Sequence, residues 1–104
     1  MSTNDFSISE EVVDNESRFF LKGRITSMSA NVLQHNLEEA FRKGREKIVV
    51  NMMEISFLSS AGIRVLLMFF KKAKGAGSSF HIEEPSENVI NVLGMTALDE
   101  MLLK

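Results

Sequence analysis

The chain has 104 residues, a length that corresponds to one small domain. Hydrophobic residues make up 44% of it and charged residues 25%, which is enough to form a core and to cover it with a polar surface. A formal net charge of −2 argues against nucleic acid as a partner. The lack of cysteine excludes disulfides, thiolate zinc sites and cysteine catalysis. We therefore expect a single domain over residues 1–104.

The composition also bears on location. Residues 1–5 are polar and lack the basic start and apolar centre of a signal peptide. The longest apolar run, 65–70, is far shorter than the roughly 20 residues that a membrane span requires. It ends at Lys71 and Lys72. The sequence thus predicts a cytoplasmic protein that does not enter a membrane.

The first third of the chain has the pattern of a β-hairpin followed by a helix. Residues 6–13 alternate at their start as a strand does, 14–16 have turn chemistry, and 18–22 form a second short strand that ends at Gly23. Ser27 or Ser29 is expected to cap the helix that follows. Its apolar face comprises Val32, Leu33, Leu37, Ala40 and Phe41, and Gly44 is expected to end it.

The rest of the chain alternates strands and helices. Residues 47–51 contain three consecutive β-branched side chains, which predicts a central strand buried on both faces. A helix from Ser60 to about Lys74 follows, then a strand over 78–83, then a helix that Ser86 caps and Gly94 ends. The pattern leaves the type of the last segment, 98–103, open. The order β-β-α-β-α-β-α predicts an α/β fold with a small mixed sheet.

Enzyme chemistry finds little support in the sequence. Neither of the two glycine-rich phosphate-binding motifs is present. His35 and His81 lie far apart in the chain, and neither has a neighbour at metal-ligand spacing. No base lies close in sequence to a candidate nucleophilic serine. We expect no catalysis, no metal and no cofactor.

Ser59 and Ser60, at the start of the central helix, are the most informative polar pair. The simpler hypothesis is capping, in which one hydroxyl accepts a hydrogen bond from a free backbone N–H of the first turn. The alternative is a phosphorylation switch, because a helix N-terminus tolerates an anion while the surface inverts its charge. Spacing alone favours capping and leaves the switch open.

The helix itself has two predicted faces. Ile63, Leu66, Leu67 and Phe70 fall at i, i+3, i+4 and i+7 and are expected to face the core, whereas Ser60, Arg64 and Met68 fall on another face. An exposed Met68 beside Phe69 and Arg64 would suit a binding surface, and burial of Met68 and Phe69 under a neighbouring element is the alternative. Arg64 is also placed to pair with a phosphate on Ser60.

The stretch over residues 49–66, VVNMMEISFLSSAGIRVL, resembles the central motif of the STAS domain family, and specifically the bacterial anti-sigma factor antagonists. The resemblance extends to Gly23-Arg24-Ile25 and to residues 94–98, and so covers nearly the whole chain. It implies a small mixed sheet with helices packed on one side. It also implies one more helix near the C-terminus than the pattern of this chain shows.

The resemblance assigns the phosphoacceptor of the family to Ser60, with Ser59 as a possible second site. The residues around it are then expected to bind the partner: Arg24, Thr26, Ser59, Ala61, Gly62, Arg64 and Met68. Two positions depart from the family, which usually has aspartate where this chain has Ser59 and an acidic residue where it has Thr26.

What the resemblance implies for function is partner switching. The unphosphorylated antagonist binds an anti-sigma factor that is also a serine kinase of the histidine-kinase-like ATPase fold, and its target is released. Phosphorylation ends the complex, and a PPM-type phosphatase restores the antagonist. ATP belongs to the kinase. The alternative is a STAS subunit that is not phosphorylated and works as a scaffold in a transport or signalling assembly.

Overall fold

A computed structural model describes residues 6–95 of the protein. These residues form four strands and three helices in the order that the sequence predicts. The elements are β1 (Phe6–Val13), β2 (Glu16–Ile25), α1 (Ser27–Arg42), β3 (Lys47–Leu58), α2 (Ser60–Ala76), β4 (Ser79–Glu83) and α3 (Glu87–Met95). None of the helices in this part of the chain is long and apolar enough to cross a membrane.

The four strands form one mixed sheet in the order β1-β2-β3-β4. β1 and β2 pair antiparallel as a hairpin, and Asp14 in its turn has a φ of 56°. β2, β3 and β4 run parallel to each other, because α1 and α2 each return the chain to the edge where the preceding strand began. The mixed sheet is therefore confirmed.

All three helices contribute to one hydrophobic core on the same face of the sheet. Alternate residues of the strands point into this core, and each helix supplies at least two buried apolar side chains to it. The helical members include Leu33 and Leu37 of α1, Leu66 and Phe69 of α2, and Val89 and Leu93 of α3. The predicted packing of helices on one side is thus confirmed.

The opposite face of the sheet carries no helix in the described residues, yet Val49 on that face has no exposed surface. Arg18 neighbours it on β2 and reaches across β3, so that its Nε lies 3.2 Å from Oε2 of Glu83 on β4. Asn51 donates a hydrogen bond to the same oxygen at 3.1 Å. The prediction that β3 is buried on both faces is therefore correct at Val49, although polar side chains, and not a helix, cover this residue.

β3 is longer than the sequence predicts, because it continues past Asn51 to Leu58. Its core residues Ile48, Val50 and Met52 are spaced two apart, and Ile55 and Leu58 then follow at intervals of three. The register with β2 shifts twice over this segment. These irregularities break the alternation that identifies a strand, so the pattern did not predict the second half of β3.

The buried face of α2 is rotated from the predicted one. The structure buries Gly62, Val65, Leu66, Phe69 and Ala73, whereas Ile63, Leu67 and Phe70 are only half-buried. Residues 65–70 are all apolar, so the sequence indicates a buried helix without specifying which side faces the sheet.

Two helix boundaries and one predicted core residue also differ from the prediction. Thr26 caps α1, in a reciprocal arrangement with Ser29, and Val32 of that helix is 46% exposed. α3 continues through Gly94 to Met95. The predicted segment 98–103 lies outside the described residues.

His81 on β4 provides a test of the open sheet face. Burial lowers its pKa from the ordinary value, and repulsion from Lys47 lowers it further, against a smaller opposing effect of Glu83. Below about pH 6.5, His81 therefore binds a proton more readily in the unfolded chain than in the folded protein. Stability from this source is complete above that pH and is lost as the pH falls towards the lower folded pKa.

We expect the melting temperature of the wild type to fall more steeply between pH 7.5 and pH 5.5 than that of His81→Gln. Thermal unfolding followed by circular dichroism measures both slopes. His35→Gln, at an exposed position on α1, serves as the control and should keep the wild-type slope. Parallel slopes for the wild type and His81→Gln would contradict the assignment.

Candidate functional site

The start of α2 is fixed by Ser59. This residue is the N-cap, with extended backbone angles, and its hydroxyl accepts a hydrogen bond from the backbone N–H of Gly62 at 3.2 Å. Its own N–H donates to the carbonyl of Ile25 at the end of β2, at 2.9 Å. Ser59 thus satisfies one free donor of the helix and attaches the helix start to the sheet.

Ser60 is the first residue of α2 and is exposed. Its hydroxyl makes no hydrogen bond to any residue between 6 and 95. The structure therefore shows which of the two serines is the cap: Ser59 caps α2, and the exposed hydroxyl of Ser60 has no hydrogen-bond partner within the described residues. The first-turn N–H groups give this position a favourable potential for an anion.

The junction of β2 and α1 lies next to this serine pair. Ile25 is in register with Leu58, which brings the starts of α1 and α2 to the same edge of the sheet. Thr26 caps α1 and is half-buried, and its Oγ1 accepts from the N–H of Ser29 at 3.3 Å. Ser59 and Thr26, the two positions at which this chain departs from the family pattern, are therefore both N-cap residues.

Arg24 and Phe57 form the exposed rim of the same edge. The guanidinium carbon of Arg24 lies 4.5 Å from the centroid of the Phe57 ring, a cation–π contact worth about 0.5–1 kcal/mol at an exposed position. Arg24 was predicted from the resemblance, whereas Phe57 was not singled out. The indication for Phe57 would have been its position next to Leu58 on the opposite side of β3.

Gly62 lies beneath the surface instead of on it. A Cβ at this position would stand 2.7 Å from Cγ2 of Ile25 and 2.7 Å from Cδ1 of Leu58. The prediction that Gly62 contacts a partner does not fit this burial, because its surface is occupied by the core. Its contribution is to let α2 approach β2 closely enough for the Ser59 hydrogen bond to form.

The outer side of α2 carries the remaining predicted residues. Arg64 is exposed one turn after Ser60, Met68 is 40% exposed one turn further, and Ala61 is half-buried. Phe69 is 1% exposed and stacks on Phe41 of α1 at a centroid distance of 5.5 Å. The structure thus separates Met68, which is available to a partner, from Phe69, which belongs to the core.

Exposed apolar side chains extend this surface beyond the predicted residues. Met28, in the first turn of α1, is 79% exposed, and Phe57 is 39% exposed. Methionine and aromatic side chains are enriched at protein-binding surfaces. In residues 6–95 no group of three or more histidine, aspartate or glutamate side chains is arranged to hold a metal ion. The residues predicted as a site thus lie around the exposed starts of α1 and α2.

Comparison with known proteins identifies the family. The sequence profile described as STAS domain matches residues 7–104, and the chain belongs to this family. The anti-sigma-B factor antagonist of Bacillus subtilis (strain 168) is 27% identical over 89 residues, which cover 86% of this chain and 81% of that protein. The resemblance stated from the sequence is confirmed.

Solved structures agree in fold. An anti-sigma factor antagonist from Mycobacterium paratuberculosis superimposes with a TM-score of 0.86 at 19% identity, covering 97% of this chain and 86% of that one. The anti-sigma factor antagonist SpoIIAA in its unphosphorylated form gives a TM-score of 0.82 at 18% identity, with 93% and 86% covered. Its phosphorylated form, from Bacillus, gives 0.75 at 17% identity, with 93% and 89% covered.

The close approach at Gly62 generates a stability prediction. Gly62→Ala forces the new methyl group against Ile25 and Leu58 and should lower the free energy of unfolding by about 1–3 kcal/mol. Gly75→Ala, in the same helix with nothing within 4 Å of the added Cβ, should raise it by about 0.5–1 kcal/mol. Urea denaturation measures both. Equal effects of the two substitutions would show that helix propensity alone decides them.

Proposed function

We propose that this protein is an anti-sigma factor antagonist that works by partner switching, with Ser60 as its phosphorylated residue. The observation that carries the proposal is the exposed hydroxyl of Ser60 at the first position of α2, which has no hydrogen-bond partner in residues 6–95. In this proposal the unphosphorylated protein binds a kinase-type anti-sigma factor of the histidine-kinase-like ATPase fold, in the cytoplasm. A PPM-type phosphatase reverses the modification.

The position of Ser60 explains how a phosphate can act without unfolding the domain. A phosphoserine carries about −1.5 to −2 charges at pH 7, and an anion at a helix N-terminus is favourable by roughly 0.3–1 kcal/mol. Arg64 lies four residues further along the exposed side, within the spacing at which helix side chains interact. The modification therefore changes the surface while the hydrogen bonds of Ser59 remain in place.

The two family carboxylates that this chain lacks are replaced by residues that keep their structural role. Serine, threonine and aspartate all accept the N-cap hydrogen bond, so Ser59 and Thr26 still begin their helices. What the replacement removes is negative charge beside Ser60. A kinase that phosphorylates this protein therefore approaches the acceptor without two neighbouring carboxylates.

The same replacement favours a second candidate function, which is a STAS scaffold subunit that is never phosphorylated. Recognition by the kinase would then be absent, and binding to an assembly would be constitutive. The following experiments separate the two candidates.

Incubation with the cognate kinase and ATP should place one phosphate on Ser60, and Ser60→Ala should abolish it. Ser59→Ala is the matched control: it should still be phosphorylated, although loss of the cap lowers its stability by about 1 kcal/mol. Intact-mass and fragment-ion spectrometry locate the phosphate. A phosphate on Ser59 alone would contradict the assignment, and no phosphate on either serine would favour the scaffold.

Ser60→Asp should bind the kinase at least about tenfold more weakly than the wild type, because even an incomplete mimic of the phosphate puts an anion in the interface. Ser60→Asn, of similar size without the charge, is the control. Isothermal titration calorimetry measures both affinities. If both variants bind as the wild type does, Ser60 lies outside the interface and the switch is refuted.

A further inference from the structure

The charges of α2 are all of one sign. The helix contains Arg64, Lys71, Lys72 and Lys74 and no carboxylate, although the whole chain has a net charge of −2. All four cations are exposed. None of them forms an ion pair within residues 6–95, whereas Arg18, Lys22 and Arg42 do.

Helical spacing places three of these cations in one row with the candidate site. Ser60, Arg64, Lys71 and Lys74 lie on the side of α2 opposite the buried residues, with Met68 between them at the edge of the row. At a rise of 1.5 Å per residue, the row from Ser60 to Lys74 is about 21 Å long. We call these five residues the cationic row. Lys72 lies aside, with its Nζ above the rings of Phe41 and Phe69.

The neighbouring helix does not neutralise this row. α1 presents two carboxylates in its second half, and both have partners on α1 itself. Gln34 donates a hydrogen bond to Glu38 at 3.2 Å, and Arg42 pairs with Glu39. The hydrogen bond from Arg42 lowers the pKa of Glu39, which keeps that carboxylate ionised and engaged. Lys74 contacts the ring of Phe70, with its Nζ 5.9 Å from the ring centroid, and no carboxylate within residues 6–95 pairs with a cation of the row.

We propose that the cationic row binds an acidic surface on the kinase-type partner, so that the interface extends from Ser60 along about four turns of α2. This inference rests on the proposed function and specifies the chemistry of the partner. It also supplies a reason for the switch. A phosphate on Ser60 introduces a dianion at one end of a row that attracts carboxylates, which reverses the local attraction.

Two features favour an acidic protein over nucleic acid. The cations of the row alternate with Met68 and the half-buried Leu67, an apolar centre that suits a protein contact. Nucleic acid binding gains affinity from many phosphate contacts, and the row offers three cations on a chain that is acidic overall. A protein surface of complementary charge needs only this one helix face.

The test is a double charge reversal, Lys71→Glu with Lys74→Glu, which keeps Ser60, Arg64 and every buried residue and removes one cation–π contact, that of Lys74 with Phe70. Lys43→Glu with Lys47→Glu is the matched control, since it changes the net charge equally at exposed positions outside the row. The partner is the kinase captured by immobilised wild-type protein and then purified. Affinities are measured by interferometry at 50 and 500 mM NaCl, with circular dichroism to verify folding.

We expect the row variant to bind at least about tenfold more weakly at 50 mM NaCl and to lose most of the salt dependence that the wild type shows. The control should stay within about twofold of the wild type. An equal loss of affinity in both variants would show that net charge alone causes it and would refute the proposed role of the cationic row. A row variant that binds the kinase like the wild type, while Ser60 is still phosphorylated, would refute that role as well.

Other outcomes also discriminate. If no kinase is captured and Ser60 is not phosphorylated, the proposed function is refuted, and so is the proposal that the cationic row contacts a kinase. If the wild type instead binds a 20-base-pair DNA duplex in a gel-shift assay and the row variant does not, the acidic protein is the wrong partner. Unimpaired phosphorylation with weakened binding of the row variant supports the row independently of the acceptor.

Discussion

The close contact between the start of α2 and the end of β2 is the constraint on which the site depends. Gly62 has no Cβ to hold the helix away from Ile25, and the N–H of Ser59 can therefore reach the carbonyl of that residue at 2.9 Å. The same serine caps the helix through the N–H of Gly62. Position, direction and first turn of α2 are thus determined within four residues, and Ser60 is left at the surface as a consequence.

The second helix start reinforces this arrangement. Thr26 and Ser29 satisfy each other's backbone N–H groups, and the hydroxyl of Ser29 also donates to the carbonyl of Arg24 at 2.7 Å. Because Ile25 and Leu58 are neighbours in the sheet, α1 and α2 begin side by side. A partner that docks here meets two capped helix ends and the Arg24–Phe57 pair on a preformed surface, which limits the entropy lost on binding.

Sequence patterns predicted the elements and their order because apolar runs alternate with glycine and polar turn residues along the chain. The patterns failed where contacts between distant parts of the chain determine the length of a strand or the buried side of a helix. The second half of β3 follows register shifts against β2, which no local pattern encodes. The orientation of α2 depends on which side of an all-apolar run packs on the sheet, and Phe69 is buried partly because Phe41 stacks on it from another helix.

Spacing in the sequence indicated the serine pair but not which of the two caps α2, and Ser60 was singled out only by the family resemblance. Both serines suit a helix start, and only the backbone geometry shows that Ser59 is the cap. The burial of Gly62 depends on Ile25, which is 37 positions earlier in the chain and invisible to motif spacing. Val49 is likewise covered by the side chain of Arg18, which reaches over its strand. From the hydrophobic pattern alone, one would expect a helix to cover this residue.

The different positions of Ser59 and Ser60 have an evolutionary consequence. Ser59 holds the start of α2 through its own N–H and hydroxyl, whereas the hydroxyl of Ser60 makes no hydrogen bond within residues 6–95, so a substitution at position 60 changes the surface at little cost to folding. Position 60 can therefore change from one copy of the domain to another, while the helix start requires a capping residue at position 59 and glycine at position 62.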